Sequence, residues 1–165
     1  MNAARAASAA AAFAVCAVYG RVKASREEEK LRWEKALLSD LHSAERLIVS
    51  SRVPLWETAG KLSREGACAE MWNDICLRLV SGDAFSKAYS AARKPPVCPE
   101  AADIVGELAE KLGTEDIGAE VERLRCAVDK LSRLCSERES SAAKKCRLIR
   151  TLSVLLGLAA AIVLL

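Results

Sequence analysis

Apolar and polar positions alternate along this chain in three regimes. From Leu148 to Leu165 the residues read LIRTLSVLLGLAAAIVLL, with one charge, Arg150, and then fifteen uncharged positions. Eighteen helical residues span roughly 27 Å, close to the ~30 Å hydrocarbon core of a bilayer. Lys144, Lys145, Arg147 and Arg150 form a basic collar before the apolar run, so that side is expected in the cytoplasm. A helix buried in a soluble core would need no such collar. The spacing therefore predicts a C-terminal transmembrane helix over 148–165, with Leu152, Val154, Leu155, Leu156, Gly157, Leu158, Ile162, Val163 and Leu164 in lipid. A second apolar stretch, shorter and alanine-rich, lies within 4–20 and includes Phe13, Val15 and Val18. It reads either as a thin first membrane helix or as a signal peptide. The heavier basic flank, Arg21, Lys23 and Arg26, follows the stretch and favours a retained helix with residue 21 onward inside.

The middle, residues 21–147, is amphipathic at helical period. Ser25 to Ser50 predicts a helix capped by Ser25, with Trp33, Leu37, Leu41, Ala44 and Ile48 on one face. Pro54 opens a second helix at its first position, and Gly66 ends it. A third, about Ala67 to Val80, buries Cys68, Trp72, Ile75 and Leu79. Gly82 suits a left-handed cap and Asp83 an N-cap, and a short fourth helix carries Phe85, Ala88, Tyr89 and Ala92. Lys94 to Pro99 is a proline-rich linker, which would leave Cys98 open to solvent reagents. Pro99 opens a fifth helix with Ile104, Leu108 and Leu112 inward, closed by Gly113. Thr114 is a candidate N-cap for the last helix, where Val121, Leu124, Val128, Leu131 and Cys135 recur by threes and fours. No proline or glycine stands between Gly118 and Gly157, so this helix is expected to run unbroken into the membrane. Arg138 and Lys145 interrupt its stripe, which predicts an exposed neck.

Composition narrows the classes. Aromatics are only 4% and glycine and proline are few, so the fold class is all-α. It is expected to be a membrane-anchored antiparallel bundle of about six helices. The net charge of +3, with acids and bases interleaved, gives no footprint for nucleic acid. Seven cysteines with no C-x-x-C spacing fit neither a disulfide framework nor a zinc site. His42 is the single histidine, and it sits beside the apolar stripe as a solvated or core-edge residue. No phosphate loop, H-E-x-x-H or G-x-S-x-G occurs, and no nucleophile has a base near it in sequence. The chain is read as no enzyme, with no cofactor, no metal and no small-molecule substrate.

Four ordered features carry a family resemblance: Pro54-Leu55 after a helix ending in Ile48; Leu112-Gly113 with Asp116 three residues on; the ending Thr151-Leu-Ser-Val-Leu-Leu-Gly-Leu before an apolar tail; and the order of membrane segment, helical middle and C-terminal span. Together they resemble the stage III sporulation protein AB family of endospore-forming bacteria. Departures include Leu108-Ala109 where the family has Phe-Gly, Glu120 where it has Gln, and Ser153 where it has Gly. The resemblance implies a cytoplasmic domain similar to the six-helix domain of the type II secretion platform protein. It implies a place in the mother-cell membrane around the forespore, within a channel-like complex. The implied partners are a cognate sporulation ATPase, similar to stage III sporulation protein AA, and other membrane subunits.

If such an ATPase docks, the turn at Leu112, Gly113, Glu115 and Asp116, with Glu120, is the expected contact. A positive φ at Gly113 would fix the shape of the turn. Carboxylates at a helix start are favoured by the backbone dipole, so they also read as plain caps. The alternative function is an exported helical protein with a cleaved signal and a C-terminal anchor.

Overall fold

In a computed structural model the described residues are 2–51, 53–113 and 117–164, with the side chains of 2–7, 9, 12, 51, 117, 160, 161, 163 and 164 left aside. They form six α-helices: α1 (Asn2–Ser51), α2 (Leu55–Glu65), α3 (Ala69–Val80), α4 (Phe85–Ala91), α5 (Pro99–Lys111) and α6 (Ile117–Leu164). The all-α expectation and the unbroken last helix hold among these residues. The chain forms two compact units. One is Lys30–Glu137; the other joins the segment up to Glu29 with the segment from Arg138 onward.

The Lys30–Glu137 unit has one apolar core drawn from all six helices. Leu37, Leu41, Ala44 and Ile48 of α1 meet Trp72 and Ile75 of α3, and Leu124, Val128, Leu131 and Cys135 of α6. Ile75 and Leu131 are fully buried, and each such side chain stabilises the fold by about 1.5–3 kcal/mol. Small residues let the short helices sit close, with Ala59, Ala88 and Ala101 almost wholly enclosed. Trp33 and Leu79 pack against this core but remain partly exposed. Gly82 and Gly113 have φ of +90° and +84°, the left-handed conformation that their turns require.

Several local expectations are corrected. Ser25 caps nothing, because it is an exposed interior residue of α1. Residues 21–29 are mostly good helix formers without proline, so nothing stops the helix there. Pro54 stands at the N-cap of α2, where its carbonyl accepts from the N–H groups of Glu57 and Thr58. Asp83 does not cap α4; that position is Ala84, and Asp83 lies 3.8 Å from Arg78 instead. Cys98 is buried at the N-cap of α5, its sulfur accepting from the Ala101 N–H at 3.4 Å.

The second unit pairs two helical segments antiparallel. Ala24 meets Cys146, whose thiol donates to its carbonyl at 3.7 Å. Gly20 faces Ser153 so closely that an added Cβ would collide with that side chain. Gly157 faces Phe13 and Cys16, where an added Cβ would come to 3.0 Å and 3.3 Å of them. Arg138 is not the exposed neck residue expected: it is half-buried and lies 3.7 Å from Glu27. Lys145 is exposed, as expected. Arg150 is matched by Glu28 at 2.9 Å.

Candidate functional site

The turn after α5 is built by three local ties. Leu112 caps α5 with its side chain buried in the core, and its N–H donates to the Leu108 carbonyl. Gly113 then reverses the chain in the left-handed region. Its N–H donates to Glu120 Oε1 at 2.7 Å, so the Glu120 carboxylate reaches back from the first turn of α6 and fixes the turn. Arg123 adds a bond to the Lys111 carbonyl at 3.2 Å. Thr114, Glu115 and Asp116 lie outside the described residues. Of the expected contact residues, the fold thus brings Leu112, Gly113 and Glu120 together, with Leu112 turned inward.

Two carboxylates that sequence reading passed over organise the core from α1. Asp40 is 3% exposed and accepts from three donors: the N–H of Ala67 at 2.9 Å, the N–H of Cys68 at 2.8 Å and Trp72 Nε1 at 3.0 Å. It serves α3 as a cap supplied from another helix, since Cys68 at the N-cap gives no side-chain bond. Gly66 must be glycine for lack of room: an added Cβ would meet the Leu62 carbonyl and come within 3.0 Å of Asp40. Glu34 is fully buried and its Oε1 accepts from the Cys98 N–H at 3.1 Å, supporting the start of α5. Both acids sit on the apolar stripe that carries Leu37 and Leu41. A charge at a core position is the signal that could have found them, because a buried carboxylate needs several donors.

Burial sets the chemistry of the neighbouring thiols, and these carboxylates add to it. Burial, and then the Asp40 carboxylate beside it, push the Cys68 thiol up to about 12. Burial is likewise the main cause that raises Cys98 to about 11; the Ala101 N–H opposes it and Glu34 adds to it. Neither is a poised nucleophile. His42 is exposed on the rim, 4.0 Å from Glu45, which also takes Arg125 at 2.9 Å. Among the described residues no group of three metal-capable side chains comes together.

The paired terminal segments have an apolar exterior. Val15, Val18, Leu152, Val154, Leu155, Leu156, Leu158 and Ile162 are exposed, while Gly157 is buried and Phe13 half-buried. The side chains of Val163 and Leu164 lie outside the description. Among the described residues, no helix is long and apolar enough to cross a membrane.

A family model described as stage III sporulation protein AB matches residues 5–165. The chain belongs to the stage III sporulation protein AB family. A solved structure titled "Stage III sporulation protein AB" superposes with a TM-score of 0.59 at 17% identity, covering 70% of this chain and 97% of that one. At that identity the likeness speaks for the fold alone. No curated protein matches the chain. Membership of the stage III sporulation protein AB family makes this a structural sporulation protein, consistent with a subunit of a sporulation complex.

Proposed function

We propose that this protein is a non-enzymatic platform of a secretion-like sporulation complex, anchored in the mother-cell membrane around the forespore. Its bundle stands in the cytoplasm and docks the cognate sporulation ATPase, while its terminal helices meet other membrane subunits and the bilayer. The carrying observation is the inside-out packing of the second unit, where glycines and a serine face inward and leucines, valines and isoleucine face outward. An apolar exterior of that extent is rare on a soluble monomer and suits a lipid solvent. Small residues at the contact are how helices associate when lipid removes the hydrophobic drive. Arg150, the one charge in the C-terminal run, is matched by Glu28, which eases its place at the membrane border.

The docking half of the proposal rests on the α5–α6 turn, whose shape is held by Gly113 and Glu120. Glu115 and Asp116 are its expected charged contacts. The anchor is tested by deleting Leu152–Leu165: the protein should leave salt-washed membranes, and continued sedimentation would reassign the anchor to the N-terminal segment. Replacing Leu156 with Arg should act in the same direction, since a mid-span Arg costs about 2.5–3.5 kcal/mol on insertion scales. Docking is tested by capture of the purified ATPase on the full chain in detergent. Charge reversal at Glu115 and Asp116 should abolish it with helicity unchanged; capture at the wild-type level would remove the turn from the interface. The exported alternative is separated by thiol labelling. Exposed Cys126 should resist a membrane-impermeant reagent in intact cells, and its labelling there would overturn the cytoplasmic placement.

A further inference from the structure

Acid and base are segregated along the paired terminal segments. No Asp or Glu occurs in residues 1–26 or 140–165, so the first carboxylates met on leaving the apolar ends are Glu27 and Glu139. Glu27 lies 3.7 Å from Arg138, and Glu28 lies 2.9 Å from Arg150. Arg21, Lys23, Arg26, Lys144, Lys145 and Arg147 are exposed, and among the described residues none of these six pairs with a carboxylate. The bond between Ala24 and Cys146 sets the register, so position 21 lies level with 149 and position 23 with 147. The six cations therefore form a belt roughly 8 Å tall. Helical period sorts them around the pair. Glu27 and Glu28 follow the buried Ala24 by three and four, so they stand on either side of the contact. Arg21 precedes Glu28 by seven and Arg147 precedes Arg150 by three, which puts both arginines on the edge of the Glu28–Arg150 pair. Lys23 precedes Glu27 by four and Lys145 follows Arg138 by seven, which puts both lysines on the other edge. On each edge the two cations are offset by roughly 3 Å along the axis.

We propose that the Arg21–Arg147 edge binds the phosphate of an anionic glycerophospholipid such as phosphatidylglycerol. The inference rests on the membrane-anchor reading above and adds a lipid ligand to it. Exposed Val18 stands three residues before Arg21 and exposed Val154 seven after Arg147, so both continue this edge into the apolar exterior. A phosphate at the arginines thus leaves its acyl chains lying on Val18 and Val154. The residue type decides between the edges. A guanidinium offers paired N–H groups that match two phosphate oxygens, whereas a lysine ammonium is a point charge. The arginine edge is therefore the specific one, and Lys23 and Lys145 attract anionic lipid by charge alone. A zwitterionic lipid carries the same phosphate but brings its own cation against an edge that already has excess positive charge.

The experiment uses the full chain, purified in detergent and freed of lipid, and counts bound lipid by native mass spectrometry. The probes are phosphatidylglycerol, phosphatidylcholine and inorganic phosphate. Phosphatidylglycerol should bind about tenfold more tightly than phosphatidylcholine, and inorganic phosphate at the same concentration should not displace it. The Arg21→Lys/Arg147→Lys variant keeps the net charge and should still weaken phosphatidylglycerol several-fold. Lys23→Gln/Lys145→Gln removes two charges and should weaken it less. All four positions are exposed, and the lipid comparison on the unaltered chain is independent of how the variants fold. Equal binding of the two lipids, displacement by inorganic phosphate, or a greater loss from the lysine variant than from the arginine variant would each overturn the site. Salt-washing cell membranes keeps the two readings apart. An unaltered chain that stays in the membrane but shows no lipid preference loses this site and keeps its anchor. A chain released by the wash loses both.

Discussion

Replacing Asp40 by Ala should be among the most damaging single changes in the bundle, although the residue is neither large nor apolar. Its carboxylate accepts from Ala67, Cys68 and Trp72 at 2.8–3.0 Å with 3% exposure. Ala67 is exposed, so its N–H can turn to water. The Cys68 N–H and the Trp72 indole are buried and cannot. Two stranded buried donors, at about 1–3 kcal/mol each, give an expected loss on the order of 2–6 kcal/mol. Removing the carboxylate also strips α3 of its N-terminal cap, an effect of about 1 kcal/mol that overlaps the first. Urea unfolding of residues 21–147, followed by tryptophan fluorescence and by circular dichroism, measures the loss. Trp72 should report the change in the folded state as well, since its own Nε1 bond is the one broken. Asp40→Asn, which keeps one acceptor oxygen, should fall between Ala and wild type. An Asp40→Ala loss below about half a kcal/mol would refute the argument that this carboxylate holds α3 on α1.

The remaining expectations follow from the same contacts. Leu124→Ala, at a buried position of α6, should cost about 2–5 kcal/mol in the same unfolding assay, with the exposed Lys130→Ala within about half a kcal/mol of neutral. Stability should fall as pH rises above 9. The folded chain raises Cys68 to about 12 and Cys98 to about 11 from an ordinary 9.0, so it holds both protons through that window while the unfolded chain releases them. Cys68→Ala should flatten the decline toward pH 12, and a slope unchanged by that variant would count against the assignment. In the native protein at neutral pH, maleimide should modify Cys126 long before Cys68 or Cys98, and equal rates would contradict the burial of those two thiols. Gly20→Leu should weaken the pairing of the terminal segments, because the added side chain has to displace Ser153; disulfide trapping between cysteines placed at 13 and 157 reads this out.

The helix count, the core stripes of α1 and α6 and the two left-handed glycines were legible because period, breakers and caps are local properties. Leu37, Leu41, Leu124 and Leu131 recur at the spacing that one buried face demands, and Gly82 and Gly113 follow runs that must stop. What escaped was long-range. Asp40 and Glu34 stand on the apolar stripe of α1, but the donors that explain them lie 27–32 and 64 residues away. Cys98 was placed in an open linker because three prolines surround it, yet the N–H it offers Glu34 draws it inward. Arg138 reads as a break in a stripe only when α6 is considered alone; its partner Glu27 comes from α1. The α5–α6 turn is mixed in the same way. Gly113 was legible, whereas the tie from Glu120 depends on how the chain folds back over it.

Helix α6 uses one backbone under two opposite rules of burial, and the membrane proposal above rests on this inversion. Between Val121 and Cys135 the enclosed positions are apolar, Leu124, Val128 and Leu131, and the outward ones include Glu122, Arg125, Asp129 and Lys130. Past Arg150 the assignment reverses. Gly157 is enclosed and Ser153 half-enclosed, while Leu156 is 66% and Ile162 65% exposed. Helix α1 repeats the reversal in mirror order, with Gly20 and Ala24 enclosed and Val15, Val18 and Val22 outward, and Leu37 and Leu41 buried further on. In water the second arrangement would expose a row of large apolar side chains while giving much of the contact surface to Gly20, Ala24, Ser153 and Gly157. In lipid both choices become favourable: the outward row is solvated by acyl chains, and small inward residues allow the backbone approach on which helix association there depends. The two terminal segments obey this rule together, at facing positions, which is the pattern expected if both are retained as one anchor.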